Sequence, residues 1–254
     1  MENSGVRLRV HFIPVGTEIQ RVVEPLKVLH ADVALLLTSG STDRARYLLP
    51  KIEEKLKKSS ILSEEINCNV LDPSEVVNEV GNIVTSAPRH EYFFNVSTGT
   101  RNAAIAGIMA GMFWQVIPYY VPVDDQMKGI DSEQDYPVNG PPSFIPTFDV
   151  PILEKPALRA LEFIASKNRP CQKKEVLTYL SESGVIGPRL KTSVSPQALH
   201  GQLDSILDKL NIWGFIEQTN RGKKMSIGIT RKGIEGMKMF FHMLKPKVPL
   251  DVLK

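Results

Sequence analysis

The first 121 residues alternate five short apolar runs with four segments of helical spacing, and few architectures accept that rhythm. Leu8–Val15, the continuously apolar Val33–Leu37, Ile66–Leu71, Tyr92–Val96 and Ile117–Val121 have strand character. Between them, Glu18–Leu29 spaces Ile19, Val22, Val23 and Leu26 three or four apart, and Asp43–Lys58, Ser74–Ser86 and Thr100–Trp114 complete the helices. Asp72-Pro73 supplies a helix start ahead of the third. Strands and helices in this order predict a parallel sheet with helices on both faces.

Charge divides the chain. Residues 1–150 hold 13 Lys and Arg against 19 Asp and Glu, whereas residues 151–254 hold 18 against 9. Two domains with different partners are expected, 1–150 and 151–254. Residues 122–156 read as an acidic, proline-punctuated connector, with a short strand expected at Ser143–Phe148. The apolar run Ala103–Val123 approaches membrane length, but Gly107, Gly111, Gln115 and Pro118 interrupt it. A buried helix followed by a buried strand is therefore expected, with no membrane partner. Cys68 and Cys171 lie too far apart in sequence for a disulfide framework or a cysteine zinc module. Together with the absence of a signal pattern at residues 1–5, they point to a cytoplasmic protein.

In an open parallel sheet, ligands bind beyond the carboxyl ends of the strands. Three of those ends are rich in small and hydroxyl residues: Pro14-Val15-Gly16-Thr17, Thr38-Ser39-Gly40-Ser41-Thr42, and Asn95 through Asn102. The last places Gly99 and free backbone amides at the mouth of a helix, with Arg101 beside them, a combination that suits phosphate. One such loop would be ordinary helix capping. Three on one edge favour a phosphate-bearing ligand, with Gly16, Thr17, Ser39, Gly40, Asn95, Ser97, Thr98, Gly99, Thr100 and Arg101 as candidate contacts. The chain has no Walker lysine, no G-x-G-x-x-G and no nucleophile elbow, and His11, His30 and His90 lack metal-ligand spacing. No catalytic residue, metal or cofactor is assigned.

Past residue 150, Ala157–Ala165, Gln172–Ser183 and a helix opened by Ser195-Pro196 come first. Phe215–Thr219 and Lys224–Thr230 then read as strands joined by the turn at Asn220-Arg221-Gly222-Lys223, and Lys232–Leu244 as a last helix. Three helices and a basic-tipped hairpin outline a winged helix-turn-helix. In its recognition helix, Ser195–Leu210, the outward residues Gln197, His200 and Gly201 at the N-terminal end are placed to approach base edges, with Ser195 a further DNA-contact candidate, while Asp204 and Asp208 further along would repel the backbone. Arg189, Lys191, Arg221, Lys223 and Lys224 are candidate phosphate anchors on double-stranded DNA. The competing use of such a module is protein contact.

Asn95-x-Ser97-x-x-x-Arg101, directly after the fourth strand, resembles the signature of CARF domains, the CRISPR-associated Rossmann-fold sensors. Thr17 sits where that family often keeps Ser or Thr, and Thr98-Gly99 stands where many relatives have two glycines. A CARF domain followed by a winged helix is similar to the archaeal CRISPR-associated transcription regulators, over nearly the whole chain. The resemblance implies a Rossmann-like α/β domain followed by a winged helix-turn-helix. It also implies a homodimer binding a cyclic oligoadenylate, cyclic tetra-adenylate foremost, across its two-fold, and hence a ligand-responsive DNA-binding regulator. Gly107 and Gly111 add a G-x-x-x-G step suited to dimer contact or to packing on the chain's own sheet. Metal-independent cleavage of the same ligand (a ring nuclease) and sensing of another nucleotide remain the alternatives.

Overall fold

A strand apolar on both faces belongs in the middle of a sheet, and one rich in carboxylates belongs at an edge. The computed structural model, which describes residues 6–42, 45–123, 137–187, 195–221 and 224–254, follows that rule. β1 (Arg9–Pro14), β2 (Val33–Thr38) and β4 (Glu91–Asn95) are central, and β2 is buried along its whole length. β3 (Leu62–Asn67), with Glu64 and Glu65, is an edge. With β5 (Ile117–Tyr120) and β6 (Ser143–Phe144) the order is β3-β2-β1-β4-β5-β6. All pairings are parallel except β5 with β6. This six-stranded, mostly parallel sheet is Rossmann-like.

Four helices cover it: α1 (Ile19–Val28), α2 (Leu49–Lys58), α3 (Pro73–Ser86) and α4 (Arg101–Trp114). Ile19, Val22, Val23 and Leu26 of α1 and Ile52 and Leu56 of α2 bury against Ile13, Ala34 and Leu36 on one face. On the other face, Gly107 of α4 lies directly on the Phe94 ring with no room for a methyl group. Gly111 likewise abuts Thr147 and the Val116 carbonyl, so the G-x-x-x-G step serves packing within the chain.

Three expectations shift. The third strand lies at Leu62–Asn67 instead of Ile66–Leu71, because an edge strand needs little apolar sequence. The second helix starts at Leu49, with Pro50 in its first turn, after a 3-10 turn at Arg46–Leu48; Asp43 and Arg44 lie outside the described residues. The described part of the connector is anchored: β6 pairs with β5, and the Val150 amide donates to the Met112 carbonyl at 3.0 Å.

The chain divides into two units, Met1–Pro151 with Lys247–Lys254, and Ile152–Pro246. In the second, α5 (Lys155–Ser166), α6 (Lys173–Glu182), α7 (Pro196–Ile212) and α8 (Arg231–Phe240) surround a sheet of order β7-β9-β8. Its strands are β7 (Cys171–Gln172), β8 (Ile216–Arg221) and β9 (Lys224–Ile229), all antiparallel. β7 has no counterpart in the sequence pattern, being two residues long. Leu158, Leu161, Val176, Leu180, Leu203, Leu207 and Leu210 form the core. Among the described residues, no helix is long and apolar enough to cross a membrane.

Candidate functional site

The strand order reverses between β1 and β4: the chain after β1 goes on to β2, and the chain after β4 goes to β5 on the other side. Loops leaving adjacent strands in opposite directions open a crevice at the carboxyl edge. Here the two loops close on one another. A Cβ at Gly16 would stand 2.7 Å from the Gly99 nitrogen, and one at Gly99 would stand 2.5 Å from the Pro14 Cβ. Gly99 also has φ +73°, which side chains disfavour, so glycine is required there on two counts.

The remaining loop residues build its shape. Asn95 is fully buried; its Oδ1 accepts from the Ser97 amide at 2.9 Å, and its Nδ2 donates to the Arg21 carbonyl at 2.9 Å. The Ser97 hydroxyl accepts from the Val121 amide at 2.5 Å. Thr100 caps α4, accepting from the Ala103 amide at 3.0 Å while donating to the Val70 carbonyl at 2.7 Å. The Ser39 hydroxyl accepts from the Val70 amide at 3.2 Å, so the loop after β2 braces the same segment; Gly40 is buried. Thr98 is buried, and its hydroxyl has no partner among the described residues.

What faces outward is the chemistry. Thr17, Gly99, Arg101 and Asn102 are exposed. Arg101 makes no ion pair among the described residues, and the amides of Arg101 and Asn102 precede the first intrahelical bond, which runs from Ala104 to Thr100. Unfilled amides at the positive end of a helix, beside an unpaired guanidinium, form a place for an anion. Grooves of about 380 Å³ between α5 and α6, and of about 820 Å³ beside α2 and β3, share no residue with these loops.

Sequence reasoning missed Arg21. Helical spacing puts it opposite the apolar stripe of α1, where a solvated charge is expected, yet it is only 8% exposed. Its Nε and one Nη donate to the Val121 carbonyl at 3.2 and 2.9 Å, its other Nη pairs with Glu18 at 2.5 Å, and the guanidinium covers the Tyr120 ring. Only the tertiary fold could place that ring and carbonyl over it. His11, a lone histidine on a strand, is a core residue, stacked on Phe93 with Nδ1 3.3 Å from the Tyr119 hydroxyl. Burial, aided by the charge of Arg9, holds its pKa down to about 3.

In the second unit, Ser195 caps α7 by accepting from the Ala198 amide, and Ser195, Gln197 and His200 are exposed. Asp204, expected to repel a nucleic acid backbone, is paired with Lys173. Arg189, Lys191 and Lys223 lie outside the described residues. Arg221 and Lys224 pair as backbone partners closing the β8–β9 hairpin, and their side chains are outside the description.

A family described as HFX_2341_N:-like, N-terminal, matches residues 9–126. No curated protein matches the chain. Solved structures to which the chain is similar include the following three. Csm6 of Enterococcus italicus bound to cyclic hexa-2'-fluoro-hexa-dAMP is 10% identical, covering 82% of this chain and 56% of its own, with TM-score 0.40. Can2 of Sulfobacillus thermosulfidooxidans in complex with cyclic tetra-adenylate is 13% identical, covering 92% and 64%, with TM-score 0.37. Protein VC1899 of Vibrio cholerae is 11% identical, covering 93% and 66%, with TM-score 0.39. The chain thus spans less than two thirds of each of these proteins.

Proposed function

We propose that the first unit is a CARF-type sensor that binds a cyclic oligoadenylate, cyclic tetra-adenylate foremost, and that the second is a winged helix-turn-helix that binds double-stranded DNA. The whole is a homodimeric, ligand-responsive transcription regulator. The observation that carries the sensor reading is the exposed, unpaired Arg101 beside the open amides of α4, at the switch point of the sheet. Thr17, Gly99 and Arg101 contact phosphate. Gly16, Ser39, Gly40, Asn95, Ser97, Thr98 and Thr100 hold the loops in the shape that presents them.

Homodimerisation draws its support from α4. Below Arg101 its outer face continues as Ile105, 53% exposed, with Ile108, Met109 and Met112 partly exposed. An apolar stripe of that kind suits a second copy. Pairing through it sets two cradles side by side, as a ring of several phosphates requires. The DNA reading draws on β7, which lies between α5 and α6 in sequence and pairs with β9, as in a winged helix. The exposed start of α7 and the surplus of Lys and Arg add to it.

Thermal unfolding against a panel of cyclic and linear nucleotides tests the sensor. A ligand at a hundredfold excess over its dissociation constant stabilises by about 2.7 kcal/mol. Gel shift of the chain's own promoter region with and without cyclic tetra-adenylate tests the regulator. No retardation at low salt in either condition removes the DNA claim, and linear products after incubation would add cleavage to it.

A further inference from the structure

Four hydrogen-bonded steps form a closed circuit behind the candidate site. Asn95 Nδ2 donates to the Arg21 carbonyl, the Arg21 guanidinium donates twice to the Val121 carbonyl, the Val121 amide donates to Ser97 Oγ, and the Ser97 amide donates to Asn95 Oδ1. The circuit joins three separate pieces of chain: α1, the loop after β4, and the residue following β5. Arg21 is the member that spans the longest gap, 100 residues in sequence, and Glu18 and the Tyr120 face also engage its guanidinium. Glu18 lies directly after Thr17, so the loop after β1 is bound into the same assembly.

We propose that Arg21 is a positioning residue for the anion-binding loop. It fixes Val121, and Val121 in turn fixes Ser97, so the turn Ser97–Gly99 is held at the height from which Arg101 and the α4 amides meet a ligand. Displacement of that turn by a ligand is passed through the Val121 amide to the point where the chain leaves the parallel strands. The circuit itself requires no ligand; its use in sensing rests on the reading given under Proposed function. A guanidinium suits the task, because one carbonyl and one carboxylate are engaged at once by a planar fork.

Amide hydrogen exchange on the full chain tests this, with wild type, Arg21→Gln, Arg21→Lys and Ser97→Ala, free and with cyclic tetra-adenylate. Without ligand, Arg21→Gln should speed exchange at residues 96–100 and 120–123 together, by about tenfold or more. β2 and α2 should be unchanged, and Arg21→Lys, which keeps the charge and one donor direction, should fall between. With ligand, Arg21→Gln and Ser97→Ala should each weaken binding by roughly tenfold, and the double variant no further than either alone. Unchanged exchange at both segments in Arg21→Gln, or a uniform increase across the whole unit, overturns the proposal. A wild-type chain that binds no cyclic tetra-adenylate contradicts the sensor reading, while the ligand-free arm still decides the circuit.

Discussion

Gly99 and Arg101 stand two residues apart and answer to opposite demands. Gly99 is also tied to the fold: at φ +73°, with Pro14 against it, Gly99→Ala should cost about 1–3 kcal/mol in chemical denaturation. Arg101 is exposed and makes no ion pair among the described residues, so Arg101→Ala should change stability by less than about 0.5 kcal/mol. The same substitution should weaken anion binding by at least about tenfold, since a charge-assisted bond contributes about 1.5–3 kcal/mol. His11 carries a pH signature. Its pKa is lowered to about 3 in the folded chain, mainly by burial, against 6.5 when free. The unfolded chain then takes up a proton that the folded one refuses, so stability is complete above pH 6.5 and falls on acidification toward pH 3. The slope is about 1.4 kcal/mol per pH unit. In His11→Phe, denaturation midpoints measured between about pH 6 and 4 should lose that component of the slope.

Among the elements, α4 is asked to serve most purposes: its inner face packs on the sheet, its mouth is the proposed anion site and its outer face the proposed dimer contact. Gly107→Ala ought to raise helix propensity by about 1 kcal/mol, yet the new methyl would enter the Phe94 ring. We expect a net loss of about 1–3 kcal/mol, read as a lower unfolding midpoint. How much was legible follows from the physics of each element. Central strands announced themselves, because burial on two faces demands unbroken apolar sequence, as in Val33–Leu37. The edge strand did not, because Leu62-Ser63-Glu64-Glu65 satisfies only one side. The candidate loop was legible through Gly99 and Arg101, whose backbone and charge requirements are local. Arg21 was invisible, since its burial is imposed by Tyr120 and Val121 from a hundred residues away. β7 escaped for the same reason, being defined by its partner β9.

At the scale of the molecule, an acidic sheet domain and a basic helical one share a chain, and each sign of charge has its own test. If the second unit binds DNA through phosphate anchors, its affinity should fall steeply with salt, the log–log slope being about 0.9 per contact. Substituting one anchor, Arg189→Ala or Lys223→Ala, should lower that slope by about one without altering sequence preference. The proposed role of the open amides and guanidinium at the mouth of α4 is to bind a cyclic oligoadenylate shared by two copies. Isothermal titration calorimetry of the full chain with cyclic tetra-adenylate, on wild type and Arg101→Ala, tests it most directly. Saturable binding at one ligand per two chains is expected, and binding at least about tenfold weaker in the variant at unchanged stability. No binding by the wild type, or equal binding by both, would contradict it.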